Sequence, residues 1–270
     1  MRIILNASVS TVKRLRISLG TLVAIEATAG SISLAEAAVE AGFAAIAQVD
    51  RRMHPRAAES DLARINASPL HVPINVPASI GELLNLARRI NTLTDGVFDP
   101  CLPTRPGRLG DIDVSADEAE VVCHAAVALD FGGFAKGYAV DCAIEALMGC
   151  GCTAGLVNAG GDLRVFGSRE EPMFVRSPAG ELTNIELANA ALAVSDANSL
   201  QRPPEHQGYY VRDRPAAPPA VTYAAVIAST AVVADALAKC VLLCPPPVAA
   251  RVLREFGATQ PQVSATARTR

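Results

Sequence analysis

The chain has 270 residues, 50% of them hydrophobic, and a formal net charge of -3 with a pI near 5.8. That length can bury a substantial core, as one large domain or two fused lobes, and the acidic balance gives no electrostatic case for a nucleic-acid partner. Aromatic residues make up only 4% and tryptophan is absent, so stacking platforms are scarce as well.

The apolar start Met1-Arg2-Ile3-Ile4-Leu5 is too short for a signal-peptide core, and no lipobox-like cysteine lies near it. No uninterrupted stretch reaches the roughly 18 apolar residues of a membrane span. Seven cysteines, an odd number, fit a reducing compartment. The expectation is a cytoplasmic protein with no membrane span. Residues 1–17 read as an N-terminal extension, 18–258 as a single domain and 259–270 as a flexible tail.

In chain order, residues 21–29 alternate as a strand. Residues 33–53 carry apolar side chains at helical spacing (Leu34, Ala38, Phe43, Ile46, Val49), with Ser33 as the cap. A second helix covers 79–93 and stops near Gly96. A strand-like apolar run covers 121–129, and a helix then extends to about Cys150. Short strands follow near 155–158, 163–166, 173–176, 184–187 and 191–194. Five prolines between 198 and 220 demand loop or edge-strand backbone. Residues 221–228 read as a buried strand, 230–244 as a helix and 246–256 as another. The fold class is α+β, antiparallel sheet covered by helices. Alanine-rich apolar content fits helices packed closely on something flat.

The cysteines and histidines invite a zinc reading that their spacing rejects. Cys150-Gly151-Cys152 and the Cys240/Cys244 pair contain no C-x-x-C. His54, His71, His124 and His206 form no H-x-x-x-H or H-E-x-x-H pattern. Cys123, Cys142 and Cys240 read instead as small buried hydrophobes.

Chemistry concentrates in Leu129-Asp130-Phe131-Gly132-Gly133-Phe134-Ala135-Lys136-Gly137-Tyr138-Ala139-Val140-Asp141. Glycines at a strand-to-helix turn let backbone approach a ligand, and the first amides of the helix suit an anion. Lys136 adds a full charge aimed at a phosphate. Asp130 suits a hydrogen bond to a base or ribose. A Gly-Gly turn of this kind also occurs with no ligand at all, so the structural reading stands beside the functional one.

Further motifs accompany it in a fixed order. They are Leu19-Gly20-Thr21; Asp50-Arg51-Arg52-Met53 with Glu59-Ser60-Asp61-Leu62-Ala63-Arg64-Ile65-Asn66; and Asp95-Gly96-Val97-Phe98-Asp99-Pro100. After the Asp130 block come Val157-Asn158-Ala159-Gly160-Gly161-Asp162-Leu163-Arg164-Val165 and Ala234-Asp235-Ala236-Leu237-Ala238. Over roughly 18–245 this order resembles the ApbE-type flavin transferases, which move FMN from FAD onto a Ser or Thr of a target protein. Many such proteins are exported lipoproteins, unlike the expectation here. The resemblance implies an ApbE-like fold and FAD as substrate. It also implies a flavin-accepting electron-transfer protein as partner, and Leu19, Asp130, Lys136, Gly160 and Gly161 as cofactor-binding residues.

The implied chemistry is phosphoryl-type transfer, which depends on positioning and on neutralising phosphate oxygens, usually with Mg²⁺. The resemblance places a metal between the Gly133 carbonyl and the Asp235 carboxylate, with Ala238 in the same helical turn. The family's Thr ligand is Lys239 here, and an ammonium cannot ligate a metal. Lys239 is either an i+4 helix partner of Asp235 or a cation standing in the metal's place. The expectation is that Asp235 and Gly133 retain Mg²⁺, with Lys239 turned aside. The family's transfer histidine is displaced: His206 is nearest, and Tyr209 or Tyr210 falls at the aligned position. A flavin-contacting tyrosine becomes Arg56. Three readings stay open. They are protein flavinylation with release of AMP, hydrolysis of FAD to FMN and AMP, and a catalytically impaired flavin-binding paralogue.

Overall fold

The computed structural model describes residues 9–54, 57–115, 117–168, 170–176, 182–196 and 223–261. Its frame is a six-stranded, wholly antiparallel sheet in the order β1-β2-β6-β7-β10-β11. The strands are β1 (Ser10–Ser18), β2 (Thr21–Ala29), β6 (Ala154–Ala159), β7 (Asp162–Phe166), β10 (Ala191–Asp196) and β11 (Tyr223–Ala228). One face is covered by three helices, each laid over a neighbouring strand pair. The first, α1 (Ile32–Met53), lies over β1 and β2. Beside it α4 (Ala135–Gly149) covers β6 and β7, and α5 (Ala231–Leu243) covers β10 and β11. Alanine makes this closeness possible: Ala27, Ala35, Ala38, Ala139, Ala143, Ala234 and Ala238 are all buried at the interface of helices and sheet.

The opposite face of β7 and β10 carries a smaller apolar cluster under the hairpin of β8 (Glu171–Arg176) and β9 (Leu182–Leu187). A separate three-stranded sheet, in the order β3-β5-β4, joins β3 (Ile74–Asn75), β4 (Ile112–Val114) and β5 (Glu120–Cys123). Helices α2 (Asp61–Asn66), α3 (Ala78–Leu93) and α6 (Pro246–Glu255) complete the order. The α+β class with antiparallel sheet covered by helices therefore stands.

Several boundaries differ from the sequence reading. Residues 10–17 of the stretch read as an N-terminal extension are strand: β1 pairs with β2 from Ser10↔Ala29 to Ser18↔Thr21. The cap of α1 is Ser31, not Ser33. Ser31 has extended backbone and its hydroxyl accepts the Leu34 amide at 3.2 Å. The 121–129 run ends as strand at Cys123, because its ladder partners β3 and β4 are only two and three residues long; Leu129 returns as an isolated bridge to Cys101. Helix α1 is, by length and composition, apolar enough to cross a bilayer, although Glu36 and Glu40 interrupt its apolar run. Here its face of Ala35, Ala38, Val39, Phe43 and Ile46 is buried, while Glu36 and Glu40 on the other side pair with Arg14 and Arg16 of β1. His206, Arg56, Tyr209, Tyr210 and most of the 259–270 tail lie outside the described residues.

Candidate functional site

The motifs that are far apart in sequence converge at one end of the large sheet. Two tight hairpins stand there side by side. Leu19 and Gly20 turn between β1 and β2 with φ of 53° and 70°, and Gly160 and Gly161 turn between β6 and β7 with φ of 67° and 104°. Two consecutive positive φ values are the twist-matched hairpin turn that favours glycine. Leu19 adopts this backbone at a steric cost of roughly 1–2 kcal/mol. A Cβ on Gly160 would come within 2.5 Å of the Thr21 hydroxyl, so the second turn needs glycine to sit against the first. Asn158 accepts the Gly161 amide at 3.1 Å and fixes that turn from below.

The strand-to-helix turn is pinned by the motifs before it. Asn66, at the end of α2, reads both backbone groups of Leu129: its amide donates to the Leu129 carbonyl at 2.9 Å and its oxygen accepts the Leu129 amide at 2.6 Å. The Asp130 amide donates to the Pro100 carbonyl at 2.9 Å. Asp99 is buried and accepts the Cys101 amide at 2.9 Å. Phe98 and Phe131 both pack against Phe134 beneath the turn. The Ser60 and Asp99 motifs thus serve the site by holding the 129–134 backbone. Asp130 itself is buried and folds back on the turn, its Oδ1 accepting the Gly132 amide at 2.6 Å.

The first turn of α4 then meets two buried carboxylates. Lys136 pairs with Asp162 Oδ2 at the start of β7. The next residue, Gly137, donates its amide to Asp235 Oδ2 of α5 at 3.0 Å. Gly137 must be glycine for this approach, since a Cβ there would lie 2.3 Å from the Ala231 carbonyl oxygen and 2.8 Å from the Asp235 Cβ. Asp235 is fully buried, and its other oxygen, Oδ1, holds the Lys239 ammonium one turn along. Lys239 is not turned aside; its side chain is only 17% exposed and lies on the carboxylate. Asp162 is 1% exposed, and its Oδ1 has no hydrogen-bond partner among the described residues. Burial raises the Asp162 pKa above its ordinary carboxylate value and the nearby Asp235 charge adds to this, while Lys136 and Lys239 pull it back.

A third carboxylate closes the junction. Asp141 of α4 accepts the Ala231 and Val232 amides at 2.9 and 2.8 Å, and Arg164 of β7 donates to it at 2.7 Å. Each helix therefore supplies an aspartate to amides in the first turn of the other: α4 to α5 through Asp141, α5 to α4 through Asp235. Sequence reading quoted Asp141 and Asp162 inside motifs but gave neither a role. For Asp141 a signal was present, since an aspartate within the apolar helix α4 requires a partner.

The donor set does not suit Mg²⁺, which demands about six oxygens at short range. Both oxygens of Asp235 already have donors. The position of the expected hydroxyl carries an ammonium, Ala238 is a fully buried methyl, and the described residues contain no group of three or more His, Cys, Asp or Glu able to hold a metal. Asp162 Oδ1, the buried carboxylate oxygen without a donor among the described residues, belongs to a pair of aspartates whose charge two lysines already balance. The expectation of an averted Lys239 is thus corrected, since its ammonium lies on the Asp235 carboxylate. Burial also pushes the Cys123 and Cys142 thiols up, Cys142 to about 11, in keeping with inert small side chains.

A model of the ApbE family matches residues 19–104 and 108–264. Among solved structures, the apo flavinyl transferase ApbE of Pseudomonas stutzeri is 20% identical, with a TM-score of 0.78 over 93% of this chain and 90% of that one. The flavin transferase ApbE of Vibrio cholerae is 17% identical, with a TM-score of 0.74 over 93% and 92%. The ApbE protein of Thermotoga maritima is 22% identical, with a TM-score of 0.71 over 90% and 87%. No functionally curated protein matches the sequence.

Proposed function

The chain belongs to the ApbE family, and we propose that it transfers FMN from FAD to a Ser or Thr hydroxyl of a flavin-accepting electron-transfer protein. The observation that carries this reading is the convergence of Leu19, Gly160, Gly161, Lys136 and the 130–137 turn at one sheet end, beside the buried junction of α4 and α5. In the proposed reaction the acceptor hydroxyl oxygen attacks the FMN phosphorus. The bond from that phosphorus to the bridging oxygen breaks, AMP leaves with the electron pair, and the hydroxyl proton passes to a base. His206 is the histidine the sequence offers for that proton.

Phosphoryl transfer needs placement and charge more than covalent chemistry. Two glycine turns and the Gly132-Gly133 segment allow close backbone approach, and the first turn of α4 presents its dipole and the Lys136 charge to an anion. Asp130, committed to the Gly132 amide, acts in this reading by holding the turn that the cofactor meets.

Intact-mass spectrometry decides between outcomes. A candidate electron-transfer protein incubated with this chain and FAD gains one FMN, with AMP released in equal amount. AMP without an adduct replaces transfer by hydrolysis, water taking the hydroxyl's part. FAD binding with neither product identifies an impaired flavin-binding paralogue.

A further inference from the structure

Resting on the flavin reading of this site, we propose that the Lys239 ammonium is a resident cation, and that the chain binds the diphosphate of FAD without a divalent metal. The argument begins with charge. One turn of α4 touches two buried carboxylates, Asp162 through the Lys136 side chain and Asp235 through the Gly137 amide. Two aspartates this deeply buried require two positive charges, or a divalent ion, to be tolerated. Lys136 and Lys239 supply both charges from the protein itself.

The geometry then leaves a metal no room in charge or in ligands. Lys239 lies on Asp235 Oδ1, the oxygen opposite the one that takes the Gly137 amide. A dication approaching Asp235 would meet an ammonium already in contact with the same carboxylate, and like charges repel strongly where water is excluded. Lys239 stands four residues after Asp235, which fixes its reach along one helical turn. The Lys239 side chain keeps a residual exposure of 17%, whereas Asp235 has none. An ammonium has three donors, so one can stay on Asp235 while others meet phosphate oxygens. Lys136, on the first turn of α4 and with its side chain 35% exposed, adds a second such group. The FAD diphosphate would thus be held between two lysines that are neutralised by aspartates in the empty protein.

The test uses the whole chain, FAD and Mn²⁺ as a magnetic probe for a divalent site. FAD affinity, read by flavin fluorescence, is measured in EDTA and in excess Mg²⁺ for wild type, Lys239→Met and Lys239→Thr. Wild-type affinity is expected to be equal in both buffers, and electron paramagnetic resonance should show no Mn²⁺ bound by the wild type. Lys239→Met should weaken FAD about 10- to 100-fold in either buffer, the worth of one charge-assisted hydrogen bond. Lys239→Thr should be equally weak in EDTA but recover in Mg²⁺ and bind Mn²⁺. A wild type that needs Mg²⁺ for FAD, or that binds Mn²⁺ between Asp235 and its neighbours, overturns the proposal; so does Lys239→Met binding FAD as wild type does. If either variant fails to fold, the wild-type Mn²⁺ spectrum and buffer comparison still decide. Absence of any FAD binding by the wild type in both buffers is a different failure, because it removes the flavin reading beneath this inference.

Discussion

The ion pairs along β1 and those at the junction of α4 and α5 use the same side-chain chemistry in opposite surroundings. On β1, Lys13 faces Glu26 at 3.5 Å and Arg14 faces Glu36 at 3.1 Å, with every partner at least 37% exposed. At the junction, Asp235, Asp162 and Asp141 have side-chain exposures of 0%, 1% and 8%. Water can replace either member of a surface pair. It cannot do so at the junction, where Asp141 and Asp235 also satisfy backbone amides at helix N-termini. The lesson is that charge here carries structural and chemical weight only where it is buried and shared with backbone.

Asp141→Ala should show this contrast at its largest. It strips acceptors from two α5 amides and leaves Arg164 without its buried partner, a loss of about 3–5 kcal/mol. Urea unfolding should record a lower midpoint at unchanged slope; a loss below about 1 kcal/mol would mean that water reaches the junction and the contrast is false.

Gly137→Ala comes next. The added Cβ would sit 2.3 Å from a backbone oxygen of Ala231, so α4 and α5 must separate. The expected cost is roughly 1–3 kcal/mol, accompanied by weaker FAD binding because the Gly137–Asp235 hydrogen bond stretches. Unchanged stability together with unchanged FAD affinity would show that the contact is looser than the structure has it.

Asp162→Asn gives a smaller effect whose sign depends on pH. Burial holds the folded-state pKa of Asp162 above its unfolded value. Such a group contributes stability below the ordinary carboxylate range, near pH 4, and withdraws it as pH rises through the raised value. Wild type should therefore lose stability relative to Asp162→Asn as pH climbs from about 4. Thermal melts of the two proteins across pH that run parallel would remove this account.

Much of this arrangement was legible in the sequence, and what was not has physical causes. The alternating and helical periods located β2, α3, α5 and α6 to within two residues, because each buries one regular face. The Asp235–Lys239 contact could be read from i+4 spacing alone. Strand β1 escaped because its charged residues Lys13, Arg14 and Arg16 interrupt any apolar alternation, as suits an edge strand. The overrun past Cys123 arose because an apolar run does not announce where its ladder partners stop. Asp141 and Asp162 escaped as functional positions because their partners lie 90 and 26 residues away, at distances only the packing of α4 on α5 and β7 reveals.

The smallest effect belongs to the surface, and it sharpens the comparison from the other side. Arg14 and Glu36 bridge β1 and α1 in full contact with solvent, and Arg14 also donates to the Lys13 carbonyl at 3.0 Å. Holding two long side chains in one geometry costs rotamer entropy that nearly cancels the Coulomb gain in water. A double-mutant cycle of Arg14→Gln and Glu36→Gln should give a coupling of about 0.2–1 kcal/mol. That coupling should shrink further in about 1 M salt, where screening acts within roughly 3 Å. FAD affinity should not change in any member of the cycle, since the pair joins the edge strand β1 to α1 and touches none of the junction. A coupling above about 2 kcal/mol, or one indifferent to salt, would place this pair in the same class as Asp141–Arg164. Exposure would then no longer separate the charges that shape this molecule from those that merely coat it.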